Sequence, residues 1–199
     1  MIALEIEQGT EEWKKARLGI PTASNFDSIV TTKGDPSKQA QKYLYRLAGE
    51  RVSGVGEETY QNAAMARGIE LEAEARAFYE LTHEVTVKQV GICYPDEKKR
   101  FSCSPDGLVG EAGLIEIKCP LIATHVGYLL DCTLPMDYWQ QVQGQLLVTG
   151  REWCDFISYY PGLKPLIVRV ERDNAFIFKL LEALNAFCKE LDSVVKRIS

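Results

Sequence analysis

The residues best equipped for chemistry lie in SCSPDGLVGEAGLIEIKCP, positions 102–120. Read as a strand, its second half puts Ile115, Ile117 and Cys119 on one face and Leu114, Glu116 and Lys118 on the other. The first face is apolar and belongs against a core. The second places an acid and a base side by side on a half-wet surface. Upstream, Pro105 fixes the approach to Asp106, and Gly107 lets the backbone turn tightly beside it. If the two strands pair, Asp106 faces Glu116, with Lys118 as their neighbour. Two carboxylates suit a hard divalent cation, Mg²⁺ or Mn²⁺. The lysine can lower the pKa of an attacking water or offset developing charge. Metal-assisted phosphodiester hydrolysis needs this set of groups. Glu-Ile-Lys alone would read as a surface ion pair of small energetic value. The longer arrangement, Pro-Asp, a short loop, then apolar-Glu-apolar-Lys, points to a site.

The surrounding sequence supplies elements to hold these groups. TEEWKKARLG reads as a short helix, with Thr10 as N-cap and Gly19 near its end. TASNFDSIV reads as a second short helix capped by Thr22, and TTKGDPSK as a loop. Helices are expected from about 37 to 53 and from 59 to 81, the latter interrupted at Gly68. VTVKQVGICY, RFSCS and GLIEIKC then read as an antiparallel meander, separated by turn residues. TLPMDYWQQVQGQLLVTG is helical in texture. WCDFISYY and LIVRV are strands joined across PGLKP, and a helix capped by Asp173 closes the chain. The expectation is a mixed α/β (α+β) fold, one central sheet flanked by helices, in a single domain over 1–199.

A chain of 199 residues with 46% hydrophobic content can build a substantial core. The net charge of −5 gives no overall basic field, so a nucleic-acid partner would need a local basic patch. Lys14, Lys15, Lys33, Lys38, Lys42 and Arg46 are candidates for one. None of the six cysteines is spaced C-x-x-C, which argues for reduced core thiols over a zinc or iron–sulfur site. There is no P-loop, no G-x-S-x-G and no transmembrane-length apolar run. The N-terminus has early acids and no signal-peptide pattern, so a cytoplasmic location is expected.

SPDG…LIEIKCP resembles the signature of the PD-(D/E)xK nucleases, whose core is restriction-endonuclease-like. EEWKKARLGIPTAS, ARGIELEAEARAFYE and YWQQVQGQLLVTG resemble further blocks of the lambda-type, YqaJ-like phage recombination exonucleases. The blocks occur in family order over about 11–150. The resemblance implies Mg²⁺-dependent 5′→3′ digestion of one strand of linear duplex DNA. It also implies a ring-shaped homotrimer around the duplex and a partner single-strand annealing protein that takes the 3′ overhang.

The same resemblance assigns residues. Asp106, Glu116 and the backbone carbonyl of Ile117 would ligate metal, two ions in the family pattern, and Lys118 would activate water. Glu72 would complete the shell; by periodicity alone Glu70, Glu72 and Glu74 stand level. Arg17, with Ser24 and Thr22, matches the holder of a terminal 5′-phosphate, for which a guanidinium fork is suited. Thr22 also reads as a plain N-cap. Gln141 matches the site glutamine, with Gln143 a weaker second. Ser104 would touch a DNA phosphate or serve only as a turn residue. Met65 would wedge between terminal base pairs or fill the core. Two other readings stand beside this one: a site-specific endonuclease on the same core, and a non-catalytic DNA-binding protein with a solvated acidic patch.

Overall fold

The computed structural model describes residues 1–57 and 63–199, apart from the side chains at 63–66 and 69. Among the described residues, seven strands and six α-helices run in the order β1 (Ile2–Leu4), α1 (Glu11–Arg17), α2 (Ala40–Ser53), α3 (Ala63–His83), β2 (Val87–Lys88), β3 (Ile92–Tyr94), β4 (Gly107–Val109), β5 (Gly113–Lys118), α4 (Ile122–Asp131), α5 (Trp139–Thr149), β6 (Trp153–Ser158), β7 (Leu166–Glu171) and α6 (Asn174–Ile198). A 3-10 segment, Ala23–Ser28, follows α1.

The central sheet has the strand order β2-β4-β5-β6-β7, with β5 and β6 parallel and the other neighbours antiparallel. The mixed α/β expectation therefore holds, with two corrections to the meander. First, β3 leaves the main sheet and pairs with β1. RFSCS forms only isolated bridges, Ser102 to Thr22 and Cys103 to Cys93. Second, β5 and β6 run the same way because α4 and α5 carry the chain back between them, as a parallel connection requires. Helix α3 also runs unbroken through Gly68.

Both faces of the sheet are covered. Leu108, Leu114, Cys154 and Val170 face a core completed by α2, α5, α6 and the 3-10 segment. Val109, Ile115, Ile117 and Ile157 face a second core with Ala75 and Tyr79 of α3. This corrects the half-wet reading of β5. Glu116 is 2% exposed, on the face that packs against α5. Gly107 is a strand residue, and its φ is not positive. Its lack of a side chain is needed because a Cβ there would overlap Val87 on β2.

Two capping expectations hold. Thr10 accepts from the Trp13 N–H at 3.3 Å, and Asp173 accepts from Ala175 and Phe176 at 2.9 Å each. Thr22 differs: it precedes the 3-10 segment but makes no side-chain cap.

Candidate active site

Asp106 stands one residue before β4. Because Gly107 pairs with Ile115 in an antiparallel register, Asp106 falls opposite Glu116. Its Oδ2 accepts from the Ile117 N–H at 2.6 Å, just past the end of the β4 ladder. The pairing inferred from sequence thus brings Asp106 and Glu116 together. Lys118 lies on the same face, with Nζ 2.5 Å from Glu116 Oε1 and 5.2 Å from the Tyr138 ring centroid.

A buried carboxylate needs partners, and α5 supplies them. Gln141 Nε2 donates to Glu116 Oε1 at 2.6 Å, and Gln145 Nε2 donates to Oε2 at 2.6 Å. The two glutamines are one helical turn apart and grip both oxygens. Gln143 points elsewhere: it donates to Glu171 O and accepts from the Asp173 N–H, both at 2.9 Å. Gln145 was missed from sequence. The only available signal was its i,i+4 relation to Gln141.

Glu72 approaches from α3, close enough that its charge, with those of Glu116 and Lys118, acts on Asp106. Burial pushes the Asp106 carboxyl well above the usual carboxylate range. The Glu116 and Glu72 charges add to that rise, against the pull of Lys118. Burial likewise raises Glu72; Lys118 opposes the rise and Glu116 adds to it. Burial alone would depress Lys118, but Glu116 and Asp106 outweigh it and hold the ammonium above its ordinary value.

A second group of side chains opens onto the same cavity, whose volume is about 170 Å³. Arg17 Nη2 donates to Thr22 Oγ1 at 3.2 Å and to Ser24 Oγ at 3.4 Å. Its guanidinium carbon stacks 4.1 Å over the Trp13 ring. Trp13 Nε1 donates to Gly91 O at 2.9 Å and to Ser104 Oγ at 3.0 Å. Gln8 Nε2 donates to Pro105 O at 3.1 Å and to Val90 O at 3.0 Å, bracing the turn before Asp106. Gln8 and Trp13 both line the cavity, and no motif in the sequence singles out either. The backbone of Met65 lies in α3, but its side chain is outside the described residues, so the wedge expectation stays with the sequence.

The carboxylates offer hard oxygen donors, and Glu116 is already oriented by two amides. Asp106 Oδ1 accepts no hydrogen bond among the described contacts. Raised acids close to one another are a charge arrangement that a divalent cation relieves. Among the described residues no three His, Cys, Asp or Glu side chains converge as a ready-made cage. Lys118 holds the place beside Glu116 instead. The donor chemistry of the residues present fits a hard divalent cation.

Residues 12–152 match the YqaJ-like viral recombinase domain, well over half of the chain. The chain belongs to that family. Among solved structures, it is similar to the alkaline exonuclease LHK-Exo from Laribacter hongkongensis. That match has 39% identity and a TM-score of 0.87, covering 95% of this chain and 96% of that one. The same enzyme in complex with dAMP matches with a TM-score of 0.86. A phage-related exonuclease from Haemophilus somnus 129PT shares the fold, with 18% identity and a TM-score of 0.69. Among curated proteins, the uncharacterized protein R354 of Acanthamoeba polyphaga mimivirus is 29% identical over 167 residues. The match takes in 77% of this chain but only 29% of that relative's length. No helix among the described residues is long and apolar enough to cross a membrane.

Proposed function

We propose that this chain is a metal-dependent exonuclease that enters linear duplex DNA at a 5′ end. It digests one strand 5′→3′ and leaves a 3′ single strand. One observation carries the reading. Arg17, Ser24 and Ser104 open onto the same cavity as Asp106, Glu116 and Lys118. A group able to hold a terminal phosphate therefore stands beside groups able to cut the next phosphodiester. The exonuclease name of LHK-Exo, 39% identical, supports the exonuclease part of this reading.

In this reading Arg17 offers its guanidinium to the terminal phosphate, and the Ser24 and Ser104 hydroxyls donate to phosphate oxygens. Asp106, Glu116, Glu72 and the Ile117 carbonyl would hold Mg²⁺, with Mn²⁺ as a substitute and two ions as the proposed number. When bound, such ions polarise the scissile phosphate and supply a water of lowered pKa. Lys118, kept cationic by Glu116 and Asp106, orients that water through an N–H and offsets the negative charge that develops at phosphorus. Gln141 and Gln145 keep Glu116 from turning away. Because one strand is consumed, the product is a 3′ overhang, the substrate of a single-strand annealing protein. The family resemblance supports that partner and a ring-shaped homotrimer, and the six free thiols support action in the reducing cytoplasm.

The test is digestion of linear 5′-phosphorylated duplex DNA beside a covalently closed circle, in Mg²⁺ and in EDTA, for wild type and Lys118→Ala. Loss of linear DNA alone, only in Mg²⁺, with a folded but inactive Lys118→Ala, is the expected result. Cutting of the circle would replace this reading with an endonuclease. Cutting of neither substrate under any divalent metal would leave a DNA-binding protein.

A further inference from the structure

Beside Arg17 lies a residue that neither the motif nor the family assignment invokes. Asn25 Nδ2 donates to Thr22 Oγ1 and to Ser24 Oγ, each at 3.2 Å. Arg17 Nη2 donates to the same two oxygens. Each hydroxyl oxygen has two lone pairs. The two nitrogens, with two hydrogens apiece, can fill all four. The hydroxyls are also 3.1 Å apart, so one can donate to the other in place of one of those bonds. They cannot both do so. At least one O–H has no acceptor within the cluster and is left to donate outward, into a cavity that Arg17, Thr22 and Ser24 line.

The orientation of the Asn25 amide is itself set. Arg46 Nη2 reaches Asn25 Oδ1 at 3.5 Å, and a guanidinium can only donate. The amide oxygen must therefore face Arg46 and the amide nitrogen the hydroxyls. Arg46 is held in turn over the Tyr43 ring, 4.8 Å from its centroid, with Glu50 Oε1 3.8 Å away. Tyr43 also accepts the Thr22 backbone N–H at 3.2 Å. Helix α2 thus acts as a frame behind the hydroxyl pair.

We infer that Asn25, with its amide orientation fixed by Arg46, is a positioning residue that presets Thr22 and Ser24 as donors and so selects a DNA end carrying a 5′-phosphate over one carrying a 5′-hydroxyl. The inference rests on the phosphate-holding role proposed above for this pocket. A terminal phosphate is an acceptor-only dianion and uses the outward O–H. A terminal hydroxyl brings a donor of its own and lacks the charge that Arg17 answers.

The experiment compares kcat/KM on duplexes that differ only in their 5′ ends, phosphate or hydroxyl, for wild type, Asn25→Asp and Asn25→Ala, with melting temperature as the control for folding. Asn25→Asp is nearly isosteric but accepts where Asn25 donates, so it turns the hydroxyl hydrogens inward and competes for Arg17. The phosphate-to-hydroxyl preference should fall by about tenfold or more in Asn25→Asp, and by less in Asn25→Ala, as expected for a hydrogen bond to a charged group. A general structural defect would lower both rates and leave their ratio unchanged. A wild type with a clear preference and an Asn25→Asp variant with the same preference would overturn the inference and leave the pocket's role standing. A wild type without any preference would overturn both.

Discussion

Replacing Gln145 by methionine tests whether α5 is a structural cover or part of the site. Gln145 is 1% exposed and donates to a carboxylate that is 2% exposed. It is the one donor to Glu116 Oε2 among the described contacts, whereas Oε1 has both Gln141 and Lys118. Methionine keeps the volume and removes the N–H. A hydrogen bond to a buried charge is worth about 1.5–3 kcal/mol. At about 2–4 °C per kcal/mol for a chain of this size, melting should fall by roughly 3–12 °C. A stability loss alone would not distinguish Gln145 from Gln143, a buried side chain that makes two part-buried hydrogen bonds. The distinguishing assay is a Mg²⁺ titration of the initial digestion rate. Without Gln145, Glu116 is free to rotate toward Lys118. Loss of a group that orients a ligand usually weakens metal binding by about 10–100-fold, and half-saturation should shift accordingly. Gln143→Met should melt earlier with its Mg²⁺ dependence unchanged. If Gln145→Met also keeps the wild-type Mg²⁺ half-saturation, the clamp has no part in metal binding and the reasoning fails.

Three further outcomes follow from the charges. Asp106 has a raised pKa in the folded, metal-free protein, so the folded state holds its proton where the unfolded chain has lost it. Its contribution to metal-free stability should decline as pH rises from about 4, the unfolded value, through the raised one, and then level off. Asp106→Asn should abolish that decline and melt above the wild type at neutral pH without metal; a wild type with the higher melting point would contradict this. Mg²⁺ should raise the melting temperature of wild type and have little effect on Asp106→Asn, which a melting series in EDTA and Mg²⁺ checks. Away from the site, Asp155 accepts from Tyr79 at 2.6 Å and from two Arg169 nitrogens at 2.9 and 2.8 Å. Asp155→Ala should cost about 1–3 kcal/mol in a denaturant melt, because it leaves the buried Tyr79 phenol without its acceptor, whereas the half-exposed Arg169 can turn to water.

The motif was legible because its geometry is local. A period of two and a short loop suffice to bring Asp106 opposite Glu116, and the register agrees. Which glutamine reaches Glu116 depends on how α5 is rotated against the sheet, a tertiary quantity that a spacing does not carry. Helix α4 gave no usable boundary signals: Leu121 precedes it without a capping side chain, and Cys132, not glycine, takes the left-handed position after it. Without α4 the parallel pairing of β5 with β6 could not be inferred. The dry Glu116 face was misread for the opposite reason. Charged residues alternating with apolar ones usually mark water, and only a neighbouring helix rich in amides makes the pattern compatible with burial. Strand β1, three residues long, is too short to show any period.

Gly144 lies on α5 between the two glutamines that hold Glu116. A Cβ there would overlap the ring of Phe26, and it would come within 3.3 Å of the Ala23 Cβ. Phe26 and Ala23 belong to the same 3-10 segment as Ser24 and Asn25. The helix that orients the cutting carboxylate and the segment proposed to hold the strand's end thus meet where the bare Gly144 backbone seats against the Phe26 ring. The spacing between anchor and blade is that of a fixed-jaw gauge. A side chain added at residue 144 would have to push Phe26, and with it the segment that carries Ser24 and Asn25, away from the helix that carries the glutamines.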